Sequence, residues 1–228
     1  MTRIGIIVGT TRPGRRGRAV AEWVASAASR RHPEAEFGIV DLADFRLPLL
    51  DEELPAMAGR YAHPHTRRWA EAIARFDGFV FVTPEYNRSI PGALKNALDF
   101  LYAEWNNKAA GIVGYGVHGG TRAAEHLRLI LAELQIATVR SQVALSVHRD
   151  FAPADPAGTA GTAAGTAGTA GTAGTTAGTT AGTAGTDQHT APGGVAADPH
   201  GHAPLGALLD DVLAWARALE PIRQGVPS

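Results

Sequence analysis

The 228 residues (23.8 kDa) carry 21 Lys and Arg against 22 Asp and Glu, a formal charge of -1 and a pI near 6.8. That balance argues against a protein built to coat nucleic acid or an anionic membrane. The absence of cysteine excludes disulfides, thiolate metal sites, iron–sulfur clusters and cysteine nucleophiles. No apolar stretch approaches the ~18 residues of a membrane span, and Ile4–Val8 is too short for a signal peptide, so a soluble, cytoplasmic protein is expected.

Five short apolar runs read as strands: Ile4–Val8, Phe37–Val40, Phe79–Val82, Ile112–Tyr115 and Val139–Val147. The first, third and fourth lack polar alternation, as strands buried on both faces do. Between them lie helical stripes: Val20, Val24, Ala27 and Ala28; a looser one from Trp69 to Phe76; Leu94, Leu98 and Leu101; and Leu127, Ile130, Leu131 and Leu134. Phe100 and Trp105 stand partly outside the third stripe, to be covered either by a partner subunit or by the chain's own core. Alternating strands and helices imply α/β architecture, a doubly wound five-stranded parallel sheet in a three-layer α/β/α arrangement. Ligand-type loops at the strand ends fit the flavodoxin-like order 2-1-3-4-5. The connection from Ala43 to Ala62, with its prolines and acids, is expected to cross the surface near the site.

An Ala/Gly/Thr tract from Ala157 to Thr186 holds nine of the 27 glycines and no charge. Extra residues at Ala164, Thr176 and Thr180 break its period and the repeat contains no proline, which rules out a collagen helix. Without a large apolar side chain it cannot offset the entropy of ordering. It reads as a flexible insertion, about 153–203, spanning roughly 30 Å as a random coil. Setting it aside leaves roughly 185 residues, enough for one buried core. Leu208, Leu209, Val212, Leu213, Ala216 and Leu219 then mark a C-terminal helix over 204–220, so residues 1–228 form one domain.

Two loops carry candidate chemistry. Gly9-Thr10-Thr11-Arg12-Pro13-Gly14-Arg15-Arg16-Gly17-Arg18 leads from the first strand into a helix, whose unpaired N–H groups and positive dipole end suit a phosphate. It is neither a P-loop nor the dinucleotide Gly-x-Gly-x-x-Gly fingerprint. The second, Thr83 to Asp99, follows the strand expected beside the first. There Pro84 ends the strand, Ser89 followed by Pro91 marks a helix start, Tyr86 offers a flat face and Asn87 a donor and acceptor. Lys95 and Asp99, at i,i+4, read as a solvated pair.

The loop Gly-Thr-Thr-Arg-Pro-Gly-Arg, the run Pro-Glu-Tyr-Asn-x-Ser-x-Pro-Gly-x-Leu-Lys-Asn-Ala-Leu-Asp and the segment Tyr115-Gly116-Val117-His118-Gly119-Gly120-Thr121-Arg122-Ala123 together resemble the NAD(P)H-dependent FMN reductase family, from Met1 to about Phe151. The resemblance implies a flavodoxin-like fold, bound FMN, and reduction of flavins, quinones, azo dyes or metal oxyanions by NADPH or NADH. By position, Thr10, Arg12, Gly14, Arg16 and Gly17 would hold the FMN phosphate. Pro84, Glu85, Tyr86 and Asn87 would line the ribityl chain and isoalloxazine, largely through backbone contacts, and Tyr115, Gly116 and Gly119 would border the ring's other edge. The family often has Ser where Thr10 stands, and Ser or Asn where this chain has Arg15 to Gly17. Relatives of this kind are commonly homodimers or homotetramers with the flavin near a subunit interface.

The resemblance implies hydride transfer from nicotinamide to flavin, then to a small-molecule acceptor, with no acid–base residue on the protein. His118 reads as a bystander. His63/His65 and His200/His202 read as solvated rather than metal-binding, since neither pair has a third ligand. The competing readings are a flavodoxin-type electron carrier, which is usually more acidic with a hydroxyl-rich phosphate loop, and a non-enzymatic FMN-binding module.

Overall fold

The five apolar runs form β1 (Arg3–Val8), β2 (Glu36–Asp41), β3 (Gly78–Pro84), β4 (Lys108–Gly116) and β5 (Ile136–Ser146), in a computed structural model that describes residues 1–151, 195 and 203–225. All pairs are parallel and the order is β2-β1-β3-β4-β5, as expected. The polar content of each strand follows from its place. β3 is buried along its whole length, whereas the edge strands admit Glu36, Arg140 and Gln142 at positions that reach the surface. The insertion expected at 153–203 lies outside the described residues except at Val195 and Ala203, and so do His200 and His202.

Side chains alternate across the sheet, so each strand feeds two cores. Ile4, Ile6 and Val8 meet Val20 and Val24 of α1 (Gly17–Arg31) and Leu208 and Val212 of the C-terminal helix. On the other face Ile7, Phe79 and Phe81 meet a second set of helices. After a single turn, α2 (Leu42–Phe45), these are α3 (Pro64–Ala74), which contributes Trp69, α4 (Gly92–Asp99), which contributes Leu94 and Leu98, and α5 (Thr121–Glu133), which contributes Leu127. Each such side chain, fully buried, stabilises the fold by about 1.5–3 kcal/mol.

One open alternative is resolved and one boundary shifts. Phe100 and Trp105 are both 0% exposed within the single chain. Trp105 stacks edge-on to Phe79, with ring centroids 5.1 Å apart, and donates its indole N–H to Leu98 O at 3.3 Å. The chain's own core covers them, and no partner is needed. The C-terminal helix also starts one residue earlier and breaks at Leu219 into α6 (Ala203–Ala218) and α7 (Glu220–Arg223), because Pro221 has no N–H to continue the ladder.

Residues 46–62 run as a strap over α3 and α4. Asn96 holds it by donating to Pro48 O (2.7 Å) and accepting from Leu50 N (3.0 Å). Glu52 accepts from the N–H groups of Ala62 (2.7 Å) and His63 (3.0 Å) at the start of α3. Burial pushes the Glu52 carboxyl up, but the Thr66 hydroxyl and these two amides pull it down harder, to about 2. Among the described residues no helix is long and apolar enough to cross a membrane.

Candidate functional site

Gly9 follows β1 and donates its N–H to Val82 O of β3 at 2.9 Å, so the loops following these adjacent strands leave the sheet side by side. This is the switch point of the strand order, where doubly wound sheets open a crevice. The first loop turns at Gly14, whose φ of 66° favours glycine, and enters α1 at Gly17. Among the described residues no side chain caps this helix, and no acid stands in its first turn, which leaves its N-terminal N–H groups and dipole available to an anion.

The four arginines of this loop divide into two kinds. Arg15 pairs with the buried Asp41 at 2.8 Å, and Arg18 with Glu22 at 2.8 Å. The first braces the loop against β2, and the second is an i,i+4 pair within the first turns of α1. Arg12 lies over the Tyr86 ring (5.9 Å), and Arg16 over Phe151 (4.9 Å) while donating to Val147 O at 3.3 Å. Among the described residues neither Arg12 nor Arg16 is paired with a carboxylate.

In the second loop Tyr86 and Ser89 exchange backbone hydrogen bonds of 2.9 and 3.0 Å. Asn87 (φ 49°) and Arg88 (φ 68°) between them are both left-handed, the pattern of a type I′ turn. Asn suits this conformation and Arg does not, so Arg88 stores about 1 kcal/mol of strain. Ser89 therefore belongs to a turn rather than a helix start. Its Oγ is 2.9 Å from His126 Nδ1, and α4 begins at Gly92 behind Pro91. The Tyr86 hydroxyl and Thr10 Oγ1 are hydrogen-bonded at 3.0 Å, which ties the two loops together.

Glu85 keeps its backbone at the crevice, donating N–H to Tyr115 O at 3.0 Å. Its carboxylate is engaged elsewhere, by the Arg122 guanidinium (2.8 Å) and the Arg122 N–H (3.1 Å) at the start of α5. Burial raises the Glu85 carboxyl, but Arg122 outweighs it and holds it below the usual range. In the third loop Gly119 N–H bonds Gly116 O at 3.2 Å. At Gly120 (φ 70°) a Cβ would stand 2.6 Å from Tyr115 N. Only glycine lets this turn sit against β4.

Together the loops enclose a cavity of about 360 Å³ lined by Arg12, Arg16, Pro84, Glu85, Tyr86, Tyr115, Gly116, Val117 and Val147. Seven of these are residues that the sequence nominated. Thr10 and Gly17 pack behind the lining, Gly14 and Asn87 sit at exposed turns, and Gly119 builds the third turn. Val117, Val147 and Phe151 were missed. The only sequence signal for them is an apolar residue just past a strand end. Tyr115 is 5% exposed and its hydroxyl has no hydrogen-bond partner among the described residues. Burial, assisted by Tyr86, raises its pKa against the opposing pull of Arg12, Arg15 and Arg16.

An orphaned buried hydroxyl, two guanidiniums without carboxylates and an uncapped helix start fit a phosphorylated, ring-bearing ligand such as FMN. His118 is exposed. His63 and His65 stack on each other at 5.1 Å, each hydrogen-bonded to Asp51, and no cluster of three metal-ligating side chains occurs among the described residues.

Residues 2–150 match the model of the NADPH-dependent FMN reductase family. The chain belongs to that family. It is 41% identical over 150 residues to the NAD(P)H-dependent FMN reductase C4B3.06c of Schizosaccharomyces pombe, covering 65% of this chain and 74% of that one. It is 35% identical over 145 residues to a 2-hydroxy-1,4-benzoquinone reductase of a Burkholderia species, covering 59% and 72%. The structure of the FerB flavoenzyme NAD(P)H:(acceptor) oxidoreductase of Paracoccus denitrificans superposes with a TM-score of 0.51 at 27% identity, over 61% of this chain and 75% of that one. RosB, solved with 8-demethyl-8-formylriboflavin-5′-phosphate bound, shares the fold at a TM-score of 0.61 and 16% identity, over 98% and 82%. The family match ends near Phe151, where β5 and its following turn close the cavity.

Proposed function

We propose that the cavity at the C-terminal edge of the sheet binds FMN with its phosphate at the start of α1, and that the chain is an NAD(P)H-dependent oxidoreductase passing electrons to a quinone-type acceptor. The observation that carries this reading is the convergence on one cavity of the uncapped α1, Arg12 and Arg16, and the orphaned Tyr115 hydroxyl. Bound there, FMN supplies hydride acceptance from the nicotinamide and reduction of the acceptor in a second half-reaction.

The protein's residues bind and orient. Arg12 and Arg16 give the phosphate charge-assisted hydrogen bonds, the strong class for such groups. The Tyr115 hydroxyl donates to the ligand, which relieves the cost of burying it unpaired. Tyr86, fixed by Thr10, and the backbone of Glu85 form one wall of the ring site. The Glu85 carboxylate is locked to Arg122, so it serves the fold of the loop rather than the reaction. Rate enhancement rests on placing two rings at contact distance. Val117, 59% exposed at the rim, gives the incoming ring an apolar edge.

The strap exposes Leu49 (84%), Leu50 (48%), Leu54 (42%) and Met57 (71%) within nine residues, an apolar segment that a partner could cover. We infer that a second copy covers it in a homo-oligomer. We infer a cytoplasmic location as well, because a nicotinamide reductant is kept reduced there. Titration with FMN, riboflavin and FAD, followed by NADH and NADPH oxidation with and without benzoquinone, tests the reading. Tightest binding of FMN and quinone-dependent oxidation are expected. Equal binding of FAD, or flavin binding without oxidation, overturns it.

A further inference from the structure

At the opposite, N-terminal edge of the sheet a second cavity, of about 490 Å³, lies between the end of α3, the segment before β4 and α7. Asp77, Glu104, Lys108, Glu220 and Arg223 are among its lining residues, and the flavin chemistry uses none of them. The chain's basic residues are almost all arginine, with only two lysines, Lys95 and Lys108. Lys95 is exposed and pairs with Asp99 at 2.6 Å, as its spacing implied. Lys108 is 6% exposed. Its ammonium donates to Ile73 O at 2.9 Å and lies 5.3 Å from the centre of the Phe79 ring.

No carboxylate among the described residues forms an ion pair with Lys108. Asp77 is held by Arg223 (3.1 Å) and by the Arg3 N–H (2.8 Å), and Glu104 accepts from the Tyr61 hydroxyl (2.8 Å). Arg223 adds a like charge to the same cavity. Arginine would stay charged here at any accessible pH, whereas lysine can shed its proton. A lysine retained at this one buried place, in a chain that otherwise favours arginine, is an amine that can exist uncharged.

We propose that Lys108 is a nucleophilic amine that captures small neutral aldehydes in this cavity as a reversible imine. The amine lone pair attacks the carbonyl carbon, and one proton passes from nitrogen to the former carbonyl oxygen to give a carbinolamine. Loss of one water then forms the C=N bond, and water addition reverses the sequence. No oxidant or reductant is consumed. Burial, reinforced by Arg223 and opposed by Asp77 and Glu104, pushes Lys108 down to about 8, against about 10.4 for an ordinary lysine. Asn106 and Gln224 in the lining each donate one amide hydrogen to the protein, to Leu134 O and Glu220 Oε1 at 2.9 Å, so the amide left to meet the carbonyl oxygen is that of Asn107. The three carboxylates of the lining disfavour an aldehyde that carries negative charge.

The test uses the intact chain with butanal and sodium cyanoborohydride at pH 8, with peptide mapping of alkylation at Lys95 and Lys108. At that pH Lys108 holds roughly 100-fold more free amine than an ordinary lysine. Its lower basicity takes back about tenfold of reactivity at a Brønsted slope near 0.5. Alkylation of Lys108 about tenfold faster than Lys95, with a rate that saturates in butanal, is the expected result. Lys108→Arg abolishes labelling at this position and leaves the Lys95 rate unchanged; should that variant fail to fold by circular dichroism, the rates on the unaltered chain decide. Modification of Lys108 no faster than Lys95, or a rate strictly proportional to butanal, overturns the proposal.

Discussion

The two ends of one sheet carry cavities of opposite character. The larger, about 490 Å³, lies at the N-terminal edge; there Arg223 holds Asp77, Glu104 accepts from Tyr61, Glu220 accepts from Gln224, and Lys108 donates only to the Ile73 carbonyl. The smaller, about 360 Å³, lies at the C-terminal edge and has Arg12 and Arg16 without carboxylates, beside an uncapped helix start. Volume does not tell them apart in the right order; unfinished electrostatics does. A parallel sheet produces this asymmetry by itself, because the loops that enter helices through their N-termini all gather at the C-terminal edge.

Four changes would break or sharpen that contrast. The largest effect is expected from Gly120→Ala, which places a Cβ 2.6 Å from Tyr115 N at a left-handed position. A loss of about 3 kcal/mol or more, seen as a fall in Tm of roughly 6–12 °C, should accompany loss of flavin binding. An unchanged Tm would mean that the third turn is not braced as described. At the other edge, Lys108→Met removes a group that the fold holds below its unfolded pKa. Such a lysine lowers stability while it is charged, and the penalty fades as pH rises from about 8 to about 10.4. The variant should therefore gain on the unaltered chain by on the order of 2–3 kcal/mol at pH 7, less whatever the Ile73 carbonyl loses, and the gain should shrink by pH 10. Urea unfolding at both pH values checks the slope, and a pH-independent difference would remove Lys108 from the account.

Arg12→Ala should weaken FMN by roughly 10- to 150-fold, the equivalent of about 1.5–3 kcal/mol for one charge-assisted bond, with riboflavin nearly indifferent. Fluorescence titration of both ligands separates a phosphate contact from a structural one, since an equal loss for riboflavin assigns Arg12 to the scaffold. The smallest effect concerns Glu52, whose carboxyl is held down to about 2. A depressed carboxylate stabilises the fold above about pH 4.3, and that contribution is lost as pH falls toward 2. Glu52→Gln should thus be slightly destabilising at pH 7 and neutral near pH 2, with FMN affinity unchanged at pH 7. Equal destabilisation at both pH values would mean that the clasp does not depend on charge.

Much of this architecture is legible from local chemistry. Apolar runs of strand length between helical stripes dictate five strands and their helices, because burial on two faces leaves no room for polar alternation in β1, β3 and β4. The arginine-rich loop and the Pro84–Asn87 segment mark the crevice because glycine and proline fix where strands stop. The assignment of Ser89 to a helix start fails where a turn competes: a two-residue turn at Asn87-Arg88, accepted despite the left-handed Arg88, consumes the Ser89 backbone first. Trp105 was ambiguous because hydropathy reports that a ring is buried and not by what. Packing against Phe79 answered it.

The sequence by itself determined the five strands, which follow from periodicity, and the family, which the three loop motifs carry by resemblance. Only the tertiary structure decided which arginines are spent. Arg15 and Arg12 are three residues apart in one loop, and nothing local distinguishes them. Asp41, at the end of the neighbouring strand, neutralises the first and lies out of reach of the second. The same holds for Glu85, claimed by Arg122, and for Lys108, left without a carboxylate because Arg223 holds Asp77. Charge is written in the sequence, but whether a charge remains available depends on partners that only folding brings within a few ångströms, where Coulomb energies outweigh solvent screening.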